Sequence, residues 1–251
     1  MKPLVSVITI SLNADKHIEQ TIQSVLNQTY DNVEYVIVDG GSTDETLNIV
    51  SKYQSNIDHF VSEKDDGIAD AMNKGAALAS GEYIIFLHAD DYFYDNDSLA
   101  RAMTYIDADT DILACNILYG RDMKKVRPRG FNFWFNFKGP HHQGIICRKS
   151  IIMRNNGFDK DFKICMDYDL FLRSYRMSAN LLKVPVVLSV MGDTGISSRK
   201  DWGSLKERFS EERKVHEKNC PSVTMGILYK VYWFLYLPYR FFMYLIKKDN
   251  Y

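Results

Sequence analysis

Short apolar runs alternate with amphipathic segments through the first part of the chain. Residues 5–10, 33–38 and 83–87 are almost continuously apolar, as expected of strands buried on both faces of a parallel sheet, and a shorter strand is predicted at 59–62. Helical patterns separate these runs. Repeated strand–helix–strand units form parallel sheets with helices on both faces. The sequence therefore predicts an α/β fold with a Rossmann-like, mostly parallel sheet.

Helix boundaries are predicted from capping residues. Asp15 is placed to cap a first helix whose apolar face carries Ile18, Ile22, Val25 and Leu26. The Ser-Thr-Asp-Glu run at 42–45 has the form of a capping box and is expected to open a second helix. A third helix is predicted over 68–79, with Gly81 as its C-terminal stop.

The composition is that of an ordinary globular protein. Of the 251 residues, 46% are apolar and 25% are charged, and the length suits one large domain. We expect that domain over residues 1–225, in two halves that meet near residue 110, where the alternation weakens. The stretch 121–139 is predicted to be a loop or short helix with exposed aromatic rings. A net charge of −1 argues against a nucleic-acid partner.

The cysteines and the N-terminus both favour a reducing, cytoplasmic location. The four cysteines, at 115, 147, 165 and 220, include no CxxC pair, so neither a zinc knuckle nor a redox motif is predicted. Lys2 and Pro3 lead directly into the first apolar run, which is too short for a membrane span and lacks the pattern of a signal peptide.

The C-terminal segment 226–251 is rich in aromatic residues. Between 226 and 246, Lys230 and Arg240 are the only charges, Pro238 interrupts the run, and tyrosine recurs five times. A spanning helix seldom carries so many tyrosines and interior cations, whereas an interfacial amphipathic helix does. We therefore predict a segment that associates with a membrane surface. The alternative is a helix that packs on the core.

Polar residues collect where the predicted strands end. Ser11 and Asn13 follow the first strand, Asp39 the second, residues 63–66 the third and residues 88–91 the fourth. Ligands of open parallel sheets bind beyond the carboxyl ends of the strands, although aspartates in such places also cap helices and turns. No GxGxxG or GxxxxGK[ST] motif is present. A bound diphosphate would therefore need a divalent cation held by carboxylates.

Several sequence segments, taken in order, resemble family 2 glycosyltransferases of the GT-A fold, of the type that builds bacterial surface polysaccharides. Those of the first half are 5–13, 38–44, 62–75 and 81–91; those of the second are 142–144, 157–159, 166–173 and 195–198. The resemblance covers roughly residues 4–200 and implies a donor half at about 1–110 and an acceptor half at about 111–225.

The resemblance also implies roles in donor binding. The implied donor-binding residues are Thr9, Ser11, Asn13, Asp39, Asp66, Lys74, His88 and Asp90, and the implied metal ligands are Asp90 and Asp91. Asp39 would contact the nucleotide base and Asp90 the cation, Mn²⁺ or Mg²⁺, on the donor diphosphate. His88 stands where the family usually has Asp or Asn. Imidazole can bind Mn²⁺ but suits Mg²⁺ poorly.

For the acceptor half, the resemblance implies one catalytic base. Where the family usually has an acidic pair at the base position, this chain has Met166-Asp167. Asp167 is therefore the candidate for the catalytic base. His142 and Gln143 are expected to contact the acceptor, whereas Asp169 is expected to pair with Arg173 on one helix face. His141 is assigned to surface packing; Arg127 and Arg129 would either contact a phosphate or lie in a solvated loop. Asp39, Asp90 and Asp167 should face one cleft.

Taken together, these features predict an inverting glycosyltransferase. It would move a sugar from a nucleoside-diphosphate sugar, UDP-linked, to a hydroxyl of an oligosaccharide or polyprenyl-diphosphate-linked acceptor in O-antigen or capsule synthesis, giving a β-linkage at the inner face of the cell membrane. The main alternative is an inactive relative that binds nucleotide or glycan as a scaffold. A sugar-nucleotide pyrophosphorylase is not supported, because the sequence has no basic glycine-rich segment near its N-terminus. A processive polysaccharide synthase is not supported either, because the sequence has no QxxRW motif and no predicted spanning helices.

Overall fold

The computed structural model describes residues 2–193, 195 and 198–248. Residues 196 and 197 of the predicted 195–198 segment lie outside the described residues. The strands are β1 Val5–Ser11, β2 Val33–Asp39, β3 His59–Ser62, β4 Tyr83–Phe86, β5 Tyr92–Phe93, β6 Ile112–Tyr119, β7 Lys124–Val126, β8 Ile145–Arg148 and β9 Leu181–Met191. The helices are α1 Ile18–Leu26, α2 Thr46–Ser51, α3 Ile68–Leu78, α4 Ser98–Met103, α5 Lys149–Arg154, α6 Met166–Arg176, α7 Trp202–Lys218 and α8 Val223–Lys248.

One sheet runs through the described part of the chain in the order β3-β2-β1-β4-β8-β6-β9-β5, with β7 beside β6. Strands β1 to β4 are mutually parallel, whereas β8 is antiparallel to both β4 and β6. Separate hydrophobic clusters cover its two faces, one containing Met72 of α3 and Leu172 of α6, the other Ile22 of α1 and Leu99 of α4. The predicted α/β fold, with helices on both faces of a mostly parallel sheet, is confirmed.

Both predictions of N-terminal caps are wrong. The first helix begins at Ile18 with His17 before it, and no side chain caps it; the second begins at Thr46. The polar side chains instead join the loop after β1 to the loop after β2: Ser42 Oγ accepts the N–H of Asn13, and Asp44 accepts that of Asp15. Asp44 Oδ1 also accepts the N–H of Thr46, at the start of the second helix. The two loops meet because β1 and β2 are parallel neighbours that end side by side.

Three further details differ from the sequence predictions. Leu26 is 36% exposed, because it lies at the edge of the buried face of α1. The helix α3 ends at Leu78, before Gly81, and a Cβ at position 81 would lie 2.5 Å from Ser6 Oγ, so this glycine permits close packing rather than a helix stop. In the aromatic stretch, Phe133 and Trp134 are exposed as predicted, but Phe135 is fully buried against Tyr168 and Tyr175 of α6.

The C-terminal segment forms the helix α8, which packs against α7. Tyr229 and Trp233 are buried in this contact. The opposite side of α8 is exposed and apolar, including Val223, Ile227, Val231, Phe234 and Phe242. Among the helices described, none is both long enough and apolar enough to pass through a bilayer.

Candidate active site

Two adjoining cavities open at the carboxyl ends of β1 and β4. The first cavity, of about 720 Å³, is lined by residues that include Ser11, Asn13, Asp66, Lys160 and Lys163. The second cavity, of about 410 Å³, lies toward α6 and is lined by residues that include Asp91, His142, Gln143, Asp167 and Arg208. His88 and Asp90 belong to the walls of both. The two cavities therefore form one cleft whose parts meet at the turn after β4.

The predicted donor-binding residues divide into two groups. Ser11, Asn13 and Asp66 line the first cavity, together with His88 and Asp90. The other group, Thr9, Asp39 and Lys74, is not among the residues that line either cavity.

Asp39 is fully buried under the loops at the strand ends. Its carboxylate accepts hydrogen bonds from the hydroxyls of Ser11, Ser42 and Ser62 and from the N–H groups of Gly41 and Ser42. Neighbouring loops enclose its oxygens, and Asp39 does not line either of the two cavities that Asp90 borders; its contact with the nucleotide base stays a prediction. In this structure Asp39 joins the segments that follow β1, β2 and β3.

Thr9 and Lys74 are also engaged elsewhere. Thr9 is fully buried and its hydroxyl lies 3.1 Å from the Tyr35 hydroxyl. Lys74 Nζ lies 2.7 Å from Glu63 and 3.3 Å from Asp70. These contacts place Lys74 in a surface ion-pair network beside the first cavity.

Two lysines of the first cavity were missed by the sequence predictions. Lys160 and Lys163 come from the loop between α5 and α6, far from the donor half in sequence. Lys160 Nζ lies 2.8 Å from Asp70 Oδ1. Hydrogen bonds from Lys160 and from the N–H of Asp66 lower the pKa of Asp70 to about 2. The signal was present in the sequence, because Lys160 follows directly after the 157–159 motif and Lys163 comes three residues later.

His88, Asp91 and His142 converge in the wall of the second cavity. One potential ligand atom from each lies within 4.8 Å of the other two, and the imidazole centroids are 4.4 Å apart. Asp91 is 1% exposed, and its Oδ1 accepts the N–H of Gly192 at 3.0 Å. Burial, together with the charge of Asp90, raises the pKa of Asp91 to about 7. Burial, and the nearby His142, lower the pKa of His88.

Asp167 lies in the first turn of α6 and lines the second cavity. Its Oδ2 is 3.1 Å from His142 Nδ1, and its side chain is 18% exposed. Two residues later, Asp169 is fully buried and lies 2.7 Å from Arg173 Nη2, which confirms the predicted structural pair. The adjacent carboxylates therefore differ in position: one faces the cavity and the other fixes the helix.

The start of α6 is held by α7. The buried carboxylate of Glu211 accepts the N–H groups of Lys163, Ile164 and Cys165 at 3.0, 2.8 and 3.0 Å. This contact fixes the loop that delivers Lys163 to the first cavity and the helix that delivers Asp167 to the second. No sequence pattern predicted it, because Glu211 lies in the middle of an otherwise polar helix.

The remaining predictions concern the segment before β8. His142 and Gln143 form a short 3₁₀ turn, and both line the second cavity; Gln143 is 3% exposed. His141 is exposed beside them and also lines the second cavity, where the sequence had assigned it to surface packing. Arg127 and Arg129 are exposed and are not among the residues that line the two cavities, which favours the solvated-loop alternative.

Comparison with known proteins identifies the family. Residues 6–180 match the family described as Glycosyl transferase family 2. The chain is 30% identical over 237 residues to a PGL/p-HBAD biosynthesis glycosyltransferase of Mycobacterium bovis, covering 90% of this chain and 87% of the relative.

Solved structures agree on the fold. TarS 1–349 of S. aureus in complex with UDP-GlcNAc has a TM-score of 0.69 at 22% identity, and the match covers 86% of this chain but only 66% of TarS 1–349. The mannosyltransferase PcManGT of Pyrobaculum calidifontis, in complex with GDP-Man and Mn²⁺, has a TM-score of 0.63 at 20% identity and covers 98% of this chain and 86% of that one. The family match, the identity to a glycosyltransferase and the shared fold lead to one conclusion: this chain belongs to glycosyl transferase family 2.

Proposed function

We propose that this glycosyltransferase moves a sugar from a nucleoside-diphosphate sugar, with UDP as the nucleotide, to a hydroxyl of a glycan acceptor, with inversion at the anomeric carbon. The observation that carries the proposal is that Asp90 and Asp167 line one cavity, and that Asp90 also lines the adjoining cavity at the strand ends. A donor in the first cavity and an acceptor in the second would meet between these two carboxylates. TarS binds UDP-GlcNAc and PcManGT binds GDP-Man, which supports a nucleotide-sugar donor here.

The proposed chemistry follows from the positions of these residues. An acceptor hydroxyl is a weak nucleophile, so Asp167 takes its proton as the new C–O bond forms. Attack from the side opposite the leaving diphosphate inverts the anomeric carbon, so an α-linked donor gives a β-linked product. His142 and Gln143, in the same cavity, would orient the acceptor.

Charge on the leaving diphosphate must be balanced. Lys160 and Lys163 bring positive charge to the first cavity. The buried Asp91 Oδ2, which has no hydrogen-bond partner among the described residues, fits a role as a cation ligand beside Asp90. A divalent ion held there, Mn²⁺ or Mg²⁺, would act as a Lewis acid toward the diphosphate.

The acceptor that we propose is lipid-linked, such as a polyprenyl-diphosphate sugar in O-antigen or capsule synthesis, and an oligosaccharide is the alternative. The support is the exposed apolar face of α8, where Phe234 is 79% and Phe242 62% exposed. Lys230, exposed on the same helix, would face anionic headgroups, whereas the Arg240 guanidinium lies over the ring of Phe209 in α7. The enzyme would thus work peripherally at the cytoplasmic face of the cell membrane.

The substitution Asp167→Asn tests the assignment of the base. We expect turnover to fall by about 10²–10⁴, because the amide cannot accept the proton. Nucleotide binding should persist, since the amide oxygen still accepts the hydrogen bond from His142. Calorimetric titration with UDP and GDP in the presence of Mn²⁺, together with a transfer assay, separates the two effects.

The matched control is Asp122→Asn, which alters an exposed carboxylate in the turn before β7 and should leave both measurements unchanged. Near-normal turnover of Asp167→Asn would contradict the base assignment. A wild-type chain that binds nucleotide but transfers no sugar to any acceptor would favour the inactive scaffold.

A further inference from the structure

Three side chains that lie close together each carry a buried ligand atom without a hydrogen-bond partner. The atoms are His88 Nε2, Asp91 Oδ2 and His142 Nε2, and none has a partner within the part of the chain that is described. Buried polar atoms are nearly always hydrogen-bonded, so one orphaned atom needs an explanation and three on neighbouring side chains need a common one. One ligand atom from each of the three side chains lies within 4.8 Å of the other two, so small side-chain rotations can bring the three side chains around a single ion.

From this convergence we propose that His88, Asp91 and His142 form a site for a first-row transition-metal ion, and that the two imidazoles make the enzyme prefer Mn²⁺ to Mg²⁺. Neutral imidazole nitrogen is a good ligand for transition metals, whereas Mg²⁺ selects oxygen ligands and retains water. This inference rests on the proposed function for the role of the ion, but occupancy of the site can be measured without any transfer.

The surroundings of the cluster fix the ligands in suitable orientations. His142 Nδ1 lies 3.1 Å from Asp167 Oδ2, so the imidazole donates its Nδ1–H to the carboxylate and keeps a lone pair on Nε2. Gly192 N–H holds the other oxygen of Asp91. A carboxylate behind a ligating histidine is the usual outer partner at metal sites.

The two sides of the site are joined by the central sheet. His88 and Asp91 belong to the turn after β4, and His142 belongs to the 3₁₀ turn that leads into β8. Because β4 and β8 are paired, the distance between these turns is set by the sheet and not by a flexible loop. An ion there would also offset the two adjacent carboxylates, Asp90 and Asp91.

Metal binding to the full-length, metal-depleted protein tests the inference without substrate. Mn²⁺ is titrated by electron paramagnetic resonance, and pulsed measurements then detect ¹⁴N coupling from imidazole. We expect one bound Mn²⁺ with ¹⁴N coupling that persists in a hundredfold excess of Mg²⁺. Bound Mn²⁺ without ¹⁴N coupling would overturn the proposal and leave the ion on carboxylates alone. Absence of Mn²⁺ binding would overturn it equally.

Variants assign the ligands. His88→Asn and His142→Gln should each remove one nitrogen coupling and weaken Mn²⁺ binding by about tenfold or more. His88→Asn should also reduce the difference between the affinity for Mn²⁺ and the affinity for Mg²⁺. The matched control is His59→Ala, which removes an exposed imidazole of β3 that lines neither cavity and should change neither the nitrogen coupling nor the affinity for Mn²⁺. Unchanged coupling in both ligand variants would overturn the assignment.

Two further controls keep the outcomes distinct. If a histidine variant does not fold, as judged by circular dichroism, Asp91→Asn provides an independent loss of affinity for Mn²⁺. Nitrogen coupling without sugar transfer would uphold the site and contradict the proposed function. Sugar transfer that proceeds equally well in Mg²⁺, with no nitrogen coupling to Mn²⁺, would uphold the proposed function and contradict the site.

Discussion

At the scale of single residues, the structure separates carboxylates that face the cleft from those that build it. Asp90 and Asp167 line the cavities, whereas Asp39 is enclosed by donors from three loops. A sequence shows that an aspartate follows a strand, but not whether neighbouring hydroxyls and N–H groups occupy its oxygens. Asp39 is therefore the candidate residue for which a structural role and a binding role make different predictions.

The substitution Asp39→Asn should lower the free energy of unfolding by about 2–4 kcal/mol, because an amide N–H would be set against buried donors that previously met a carboxylate. Urea unfolding monitored by circular dichroism measures this loss. Asp122→Asn, on the exposed turn, serves as the reference and should stay within about 0.5 kcal/mol of the wild type. A variant with normal stability and weaker nucleotide affinity would instead support direct contact with the base.

Much of the candidate site could be predicted from the sequence, and the misses share one cause. Residues at the ends of strands, such as Ser11, Asp66 and Asp90, were predicted because parallel strands end at one edge of the sheet. Lys160 and Lys163 were missed because a loop brings them from the other half of the chain. The convergence of His88, Asp91 and His142 was missed because it depends on the pairing of β4 with β8.

At the scale of elements, a buried histidine links α6, α7 and α8. His216 is fully buried; the Trp233 indole N–H donates to its Nδ1, and its Nε2 lies 3.0 Å from the Tyr168 hydroxyl. Since indole only donates, the proton of His216 is on Nε2 and is donated to Tyr168. The hydroxyl of Tyr168 then donates to the carbonyl of Phe135. This arrangement requires a neutral imidazole.

The protonation of His216 gives a pH prediction. Burial, and to a lesser extent the charge of Arg176, lower the pKa of His216 to about 3 from 6.5. The unfolded chain therefore binds more protons in this interval, so the stabilising contribution is complete above about pH 6.5 and is lost as the pH falls toward 3. Between these pH values, the contribution of His216 to the free energy of unfolding changes by up to about 1.4 kcal/mol per pH unit.

The variant His216→Gln, which can accept from Trp233 and donate to Tyr168 without titrating, should lose less stability between pH 7 and pH 5 than the wild type. Urea midpoints at several pH values in this range provide the comparison. Parallel curves for the two proteins would show that His216 does not control the acid sensitivity.

The exposed face of α8 gives a second prediction at this scale. Changing Phe234 and Phe242 together to aspartate should reduce partition onto anionic vesicles by more than tenfold, because each buried aromatic ring contributes about 1.5–3 kcal/mol. Stability should change little, since both rings are solvent-exposed in the free protein. Vesicle sedimentation measures the partition.

Changing Tyr94 and Tyr105 together to aspartate is the control for that experiment, because it places the same two charges on exposed aromatic positions outside α8. Equal partition of the α8 double variant and the wild type would contradict a membrane role for α8 and favour its alternative as a packing element for α7.

At the scale of the whole molecule, the two predicted halves share one sheet. Residues 1–110 provide β1 to β5, but β5 lies at the far edge beside β9, and β8 pairs directly with β4. The fold class could be predicted because the strand–helix alternation is local. The antiparallel insertion of β8 could not, because strand order in the second half depends on contacts between segments distant in sequence.

We therefore expect the chain to unfold in one cooperative step and a fragment of residues 1–110 to lack a stable fold. That fragment would expose the edge of β4 and leave β5 without its partner β9. Calorimetry of the full chain and circular dichroism of the fragment measure these properties. Two separate transitions in the full chain, or a folded fragment, would contradict the expectation.

The common wall of the two cavities has a consequence for the affinities of the molecules that occupy them. His88 and Asp90 border both spaces, so whatever occupies the first cavity becomes part of the surface that a molecule in the second cavity meets. Thermodynamic linkage then makes the influence mutual: each ligand alters the affinity of the other by the same factor. The affinity for nucleotide measured with and without a molecule in the second cavity should therefore change by the same factor as the affinity of that molecule measured with and without nucleotide.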